Sequence, residues 1–257
     1  MDPGERSVTA LELSQLLSDV TIFESQLATI KRELAPETEW YPYDSLSNLW
    51  HFDRLLTGPD RDLAALADGC PILDIGAADG DVAFFLAKHG ARVEILDWGP
   101  TNWNGLRGAR RLAAYFDLDV TLHEIDLDSQ FGLPHDRYGL VLLLGTLYHL
   151  QNPFYVLKHL ASAARHVIVS TRIARVTSDG AIAIDRAPVA YLVDARETNN
   201  DPTNYWIFSM PGLRRLFDRT GWDLVAETTV GRTQGDSDPS SNERDERAFC
   251  LLRSRMS

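Results

Sequence analysis

The stretch ILDIGAADGD, residues 72–81, decides the fold. An apolar run of strand length carries Asp74, two glycines follow among small residues, and Asp81 opens a segment with helical spacing of its apolar positions. A glycine-rich turn between a strand and a helix lets the backbone approach a ligand closely. Working outward, DVAFFLAKHG is a helix ended by Gly90, ARVEILDW a second strand, NGLRGARRLAAYF a helix and VTLHEIDL a third strand. YGLVLLLG follows as a fourth strand, NPFYVLKHLASAA as a helix starting near Pro153, and HVIVSTRI as a fifth strand. Short apolar runs alternating with helices predict an α/β fold built of parallel βαβ units, with both faces of the sheet covered. Ligands bind such sheets beyond the carboxyl ends of the strands.

Two cofactor classes use a glycine turn of this kind. A dinucleotide fingerprint needs G-x-G-x-x-G, whose third glycine admits the pyrophosphate. Here Gly76, Ala78 and Gly80 follow G-x-A-x-G, and Asp81 takes the position five after Gly76. An acid beside a pyrophosphate is repulsive, which makes an NAD-dependent oxidoreductase the weakest reading. S-adenosylmethionine carries no phosphate, tolerates Asp79 and Asp81, and brings a cationic amine and sulfonium that suit Asp74. The second strand ends at Asp97, where a carboxylate can accept both hydroxyls of an adenosine ribose. Asp126, in HEIDL at the third strand's end, is placed to meet an adenine amino group; acids at strand ends also commonly cap the next element.

Before this core, apolar residues from Leu11 to Ile30 recur at helical spacing until Pro36, predicting one or two amphipathic helices. The next segment, EWYPYDSLSNLWHFDRLL, is dense in aromatics, among them Trp40, Tyr41, Tyr43, Trp50 and Phe52. Residues 1–60 therefore form a helical cap, and its aromatics either pack on the core or wall a substrate mouth. Residues 61–257 form the catalytic domain. Within it, 174–210 breaks the rhythm: GAIAID suggests a hairpin edge and ETNNDPTNYW an inserted lid. MPGLRRLFDRTG returns as a helix ending at Gly221, and WDLVAETTV and RAFCLLR are strands joined by the polar loop GRTQGDSDPSSNERDE.

The 257 residues carry 25 Lys+Arg against 37 Asp+Glu, a net charge of −12 that repels polyanions and makes nucleic acid an unlikely partner. Cys70 and Cys250 stand far apart with no metal-ligand spacing, and no apolar run approaches a membrane span. The expectation is a cytoplasmic protein with no metal site. No G-x-x-x-x-G-K-S/T, G-x-S-x-G or H-E-x-x-H pattern occurs.

The order of motifs resembles class I S-adenosylmethionine-dependent methyltransferases. That resemblance implies a Rossmann-like sheet of seven strands, mostly parallel with an antiparallel last strand. More narrowly, ILDIGAADG, EILDWGPT, GTLYHLQNPFYVLKHL, PGLRRLFDRTGW and RAFCLLR are similar to the bacterial tRNA wobble-uridine carboxymethyltransferases, which use a carboxylated form of the cofactor. The likeness covers roughly residues 40–253, and LYHLQNP is its most telling element. It implies that Gly76, Asp97, Trp98, Ile125, Asp126 and Leu144, with Gly145 beside it, surround the cofactor. It also implies that Tyr148 and Arg247 contact the extra carboxylate. This chain departs from the narrower family in having WYPYDS without a cation where that family carries a lysine, and His51 where it carries another.

Methyl transfer is an in-line displacement in which the protein mainly aligns a nucleophile and deprotonates a hydroxyl acceptor. The fourth strand delivers Tyr148 and His149 to that place; His149 is either the base or a structural histidine fixing the loop before Pro153. Tyr43, Trp50, His51, Tyr205 and Arg247 are the candidate acceptor contacts. The expectation is methyl transfer from S-adenosylmethionine to a small molecule. The alternatives are the tRNA reaction with the carboxylated cofactor and a cofactor-binding homologue without turnover. An exposed apolar face on the first helices would make a homodimer.

Overall fold

The computed structural model describes residues 10–34, 36–240 and 243–256. Its centre is a sheet in which β1 (Ile72–Ile75) pairs in parallel with β2 (Val93–Asp97) and β4 (Tyr138–Leu144). Outward from β2 lies β3 (Val120–Glu124), and outward from β4 lies β5 (Ala164–Ile173), both parallel to their neighbours. β9 (Glu246–Ser254) runs antiparallel along β5, and β8 (Trp222–Gly231) antiparallel along β9. These are the seven expected strands, with the last one reversed.

Alternation along β1 explains the layers. Leu73 and Ile75 enter one apolar cluster with α6 (Pro153–Ala163) and α7 (Met210–Thr220). Ile72 enters the other, with α3 (Leu63–Ala67), α4 (Asp81–Lys88) and α5 (Arg107–Phe116). Two devices set the helices of the first layer: Asn152 Oδ1 accepts from Tyr155 N at 3.1 Å with Pro153 at the first turn, and Ser209 Oγ accepts from Gly212 N at 3.1 Å before Pro211. Gly221, at φ +98°, closes α7.

The N-terminal region is one helix, α1 (Leu13–Leu34), followed by α2 (Asn48–Leu55). Leu13, Leu16, Val20, Phe23 and Leu27 of α1 are buried in the same cluster as α4 and β2. The apolar face expected to make a homodimer is thus covered by the chain's own core, and Ile22 is the large apolar residue of α1 left outside.

In the inserted segment GAIAID makes a minimal hairpin edge: the antiparallel bridge Val176 to Ala183, with Thr177 N bonded to Ile182 O at 2.9 Å and Ile184 N to Arg175 O at 2.7 Å, closes a turn at Gly180. The strands the sequence did not indicate are β6 (Ala190–Leu192) and β7 (Trp206–Phe208), which pair antiparallel, and Phe208 pairs with Ile173. β9 lines the opposite edge of Ile173 through Glu246, and β4 stops at Leu144 opposite Ser170. β7 therefore takes the edge of β5 that β4 leaves free, just past the carboxyl end of the central strand. The third strand is shorter than VTLHEIDL suggests: its last bond to β2 runs from Ile125 N to Asp97 O at 3.0 Å, and the chain turns at 127–128. Among the described residues no helix is long and apolar enough to cross a membrane.

Candidate active site

The glycine turn after β1 sits where the strand order reverses, between β2 and β4. Gly76 has φ +68°, and a Cβ there would lie 2.3 Å from Thr146 Oγ1. The close approach brings the chain leaving β4 against the turn; Thr146 Oγ1 donates to Ile75 O at 3.0 Å. Ala78 also adopts positive φ, +55°, a conformation more easily held by glycine. Its amide donates to Asp97 Oδ2 at 3.2 Å, which secures the turn.

Asp97 is held by three donors: Ala78 N, Asn102 Nδ2 at 2.9 Å on the same oxygen, and Trp98 N at 2.7 Å on Oδ1. Burial raises its pKa, against those hydrogen bonds. Asp74 is the contrast. It is buried, it has no hydrogen-bond or ion-pair partner among the described residues, and desolvation together with the charges of Asp97 and Asp81 pushes its pKa up to about 7.

Asp79 and Asp81, tolerated by the sequence reading, serve the architecture. Lys31 of α1 reaches Asp79 at 3.1 Å and Asp81 at 2.8 Å, while its ammonium lies 5.4 Å from the Trp40 ring centre. Asp79 also accepts from Tyr41 N at 2.8 Å and from Asn104 Nδ2 at 2.7 Å. One buried carboxylate thereby ties α1, the aromatic segment and the β2–α5 loop to the glycine turn. Lys31, Asn102 and Asn104 escaped the sequence reading because their partners lie far along the chain; the signal for them was the pair of otherwise repulsive acids.

A second group forms beyond β4. Leu147–His149 make a single 3₁₀ turn carrying Tyr148 and His149, whose rings lie 4.4 Å apart. β9 begins at this end of the sheet, which places Arg247 here: Nη2 donates to the Tyr148 hydroxyl at 3.4 Å, and the guanidinium lies 5.7 Å from that ring. The Tyr148 hydroxyl and Asp245 hold Arg247 charged, raising its pKa. Tyr41 belongs to the same group. Burial and the neighbouring Tyr148, Tyr43 and Asp201 push its hydroxyl up to about 12, against the pull of Arg247. The Tyr41 ring meets Tyr43 at 5.4 Å and Trp103 at 6.4 Å, both edge-on. His51 arrives from α2, packed 4.7 Å from Phe249, its pKa lowered by burial and by Arg54 and Arg247.

Some expected residues stand elsewhere. Trp50 is 47% exposed on α2, and no ring contact joins it to this group, because Leu49 and Phe52 take the inward face of the helix. Tyr205 touches the site through its backbone, N to Tyr148 O at 2.9 Å; its hydroxyl instead accepts from Gln151 at 3.4 Å. Asp126 accepts from Asp128 N at 2.9 Å and so caps the turn that ends β3. Ile125 is half-buried against the α6 layer and Leu144 against the α4 layer; Gly145, at φ +76°, faces Tyr148 and Arg247. His149 Nδ1 lies 3.1 Å from the Thr203 carbonyl oxygen. Among the described residues no three His, Cys, Asp or Glu side chains could hold a metal.

A family model described as a methyltransferase domain matches residues 49–227, more than half of the chain. The chain belongs to the methyltransferase family. Membership brings the family's cofactor, S-adenosylmethionine, and an enzymatic role. Solved structures agree in fold. The N-terminal domain of EvdMO1, crystallised with SAH, is 19% identical with a TM-score of 0.56, over 90% of this chain and 97% of that one. An S-adenosylmethionine-dependent methyltransferase from Mesorhizobium loti is 17% identical, TM-score 0.55, over 71% and 90%. The cyclase SpnF is 13% identical, TM-score 0.58, over 98% and 100%. The fold alone therefore does not choose the acceptor or the reaction. Among curated protein sequences nothing matches.

Proposed function

We propose that this methyltransferase transfers the methyl group of S-adenosylmethionine to a small-molecule acceptor, with the cofactor in the glycine turn and the acceptor under the aromatic segment. The observation that carries the reading is Asp74: a buried carboxylate without a partner, flanked by Asp97 and Asp81, needs a cation. The amine and sulfonium of the methionine end are cations that would satisfy it. A pyrophosphate would meet four acids, Asp74, Asp79, Asp81 and Asp97, against the single Lys31.

Asp97 would bind the ribose. A carboxylate offers about four acceptor sites, and the three internal donors leave Oδ1 with one for a hydroxyl. Trp98, Ile125 and Leu144 would line the adenosine with Gly145. Asp126, already engaged as a turn cap, keeps its second oxygen for adenine. On the acceptor side Tyr148, His149, Arg247, His51, Tyr41 and Tyr43 would wall the acceptor, and an aromatic wall with the single cation Arg247 suits a small organic acceptor better than a polyanion. EvdMO1 has been crystallised with SAH and D-fucose, a small polyhydroxylated molecule, which supports an acceptor of that size.

The meeting of Arg247 with Tyr148 favours a second reading, in which both hold the carboxylate of a carboxylated cofactor and tRNA is the acceptor. One experiment separates them: calorimetric titration with S-adenosylmethionine, S-adenosylhomocysteine, the carboxylated analogue and NAD, with Asp97→Ala as control. Micromolar binding of the first two, weakened at least tenfold in the variant, is expected. A clear preference for the carboxylated analogue selects the second reading, and binding of NAD alone rejects both.

A further inference from the structure

We propose that Asp201 and Thr203, on the inserted segment, are positioning residues that fix His149 as a general base for a hydroxyl acceptor; this rests on the site proposed above. The carbonyl at one end of this relay and the carboxylate at the other set the direction of its hydrogen bonds. His149 Nδ1 lies 3.1 Å from Thr203 O and 3.0 Å from Thr203 Oγ1. A carbonyl oxygen only accepts, so Nδ1 carries the proton. Thr203 Oγ1 donates its own hydrogen to Asp201 Oδ1 at 2.7 Å, which leaves its lone pairs for Nδ1–H. Thr203 N donates to the same carboxylate oxygen at 2.9 Å, locking the pair.

The neutral imidazole therefore holds its lone pair at Nε2, and no described residue bonds to that nitrogen. The charged groups that face His149 are Asp201 from the insert and Arg247 from β9. Burial and Arg247 lower its pKa, while Thr203 and Asp201 oppose them. Tyr148 lies on its own turn, with Tyr41 beyond. The result is a base that is neutral at physiological pH and has an anion, one hydroxyl away, ready to stabilise the imidazolium.

Such a base serves an acceptor that must lose a proton as it attacks. An amine brings its own lone pair; an alcohol or phenol does not become a strong nucleophile until its proton leaves. The acceptor O–H gives its proton to Nε2 while the oxygen forms a bond to the methyl carbon. The carbon–sulfur bond breaks with its electron pair on sulfur, and the imidazolium then releases the proton to water. β7 and the extended chain before it bring Thr203 to this position, so the insert supplies the orientation of the base as well as a wall.

The test is nitrogen NMR of the full chain with labelled histidine imidazoles, followed through a pH titration, with parallel S-adenosylmethionine titrations. His149 is expected as the Nδ1–H tautomer in the wild-type protein, a result that needs no variant. Asp201→Asn should lower its titration midpoint by about one pH unit, the effect of one nearby charge. Thr203→Val keeps the backbone carbonyl and with it the Nδ1–H tautomer, but cuts the link to Asp201 and should lower the midpoint as Asp201→Asn does, while Thr203→Ser should preserve both. An Nε2–H tautomer, or a midpoint unmoved by Asp201→Asn, overturns the proposal. If the wild-type protein does not bind S-adenosylmethionine, the cofactor reading itself falls; binding with an unmoved midpoint removes only the base assignment.

Discussion

The site has two halves built from different material. The proposed cofactor half consists of strand ends and backbone: Asp74 on β1, the turn from Gly76 to Gly80, and Asp97 on β2, all within 24 residues and fixed by the parallel register of two adjacent strands. The proposed acceptor half draws on residues 41, 43, 51, 103, 148, 149, 201, 203 and 247, and its groups are mostly aromatic, with Arg247 and Asp201 as its charges, where the other half is acidic. The difference shows that the sheet commits the first half to one ligand, while loops and insertions determine the second. The two meet at few points, chiefly Asp79 and the contact of Gly76 with Thr146.

The largest effect is expected at Asp79. Asp79→Ala removes the common partner of Lys31, Tyr41 N and Asn104 and should cost about 3 to 5 kcal/mol, as breaking a buried ion pair does. Urea unfolding measures it. A loss below about 1 kcal/mol would mean the halves are held together by something other than this carboxylate.

Asp74 sharpens the contrast in charge. Its carboxyl is raised to about 7, so the folded protein keeps a proton that the unfolded chain gives up. Ionisation then opposes folding, starting as pH rises past the ordinary carboxylate range and reaching its full size above pH 7. Asp74→Asn should leave stability at pH 4 unchanged and raise it at pH 8 by about 2 to 4 kcal/mol. The wild-type protein should bind S-adenosylmethionine more tightly as pH rises through 7, and the variant should lose that dependence. Equal stability gains at both pH values would remove the demand for a cation.

Gly76→Ala is expected to cost about 1 to 3 kcal/mol, because it adds an overlap with Thr146 to a left-handed backbone. Thermal unfolding and cofactor titration should both register it, since the residue lies at the join. Tyr41→Phe should be the mildest change. It removes a hydroxyl on the acceptor side, where no hydrogen bond to it occurs among the described residues. Stability should move by less than about 1 kcal/mol and cofactor affinity by less than twofold. A tenfold loss of cofactor affinity would show that Tyr41 belongs to the other half.

Legibility in the sequence followed the same division. Asp74, Gly76 and Asp97 could be found because strand, turn and helix succeed one another locally, and the acids stand where strands end. GAIAID suggested a hairpin edge, and one antiparallel bridge forms there, but residues 180–183 are exposed and the pairing extends no further. β6 and β7 have three residues each, too few for a period of two to register. Trp50 and Tyr41 look alike in composition; which one faces inward depends on the rotation of α2 and on the bond from Tyr41 N to Asp79, 38 residues away. Asp201 and Thr203 carry no motif, and their part emerges only when β7 docks on the end of β5, past the carboxyl end of β4.

The Asp79 carboxylate also has a thermodynamic meaning. It holds the turn that would receive the methyl donor, and it holds the backbone of Tyr41, which would wall the acceptor. A displacement of either would be felt by the other through one side chain, so the two proposed binding events would share a coupling free energy. Such coupling is reciprocal: whatever factor the donor contributes to acceptor affinity, the acceptor returns to the donor. Order of addition, usually treated as a kinetic property, would in this molecule be tied to an ion pair between the first helix and the first turn of the sheet.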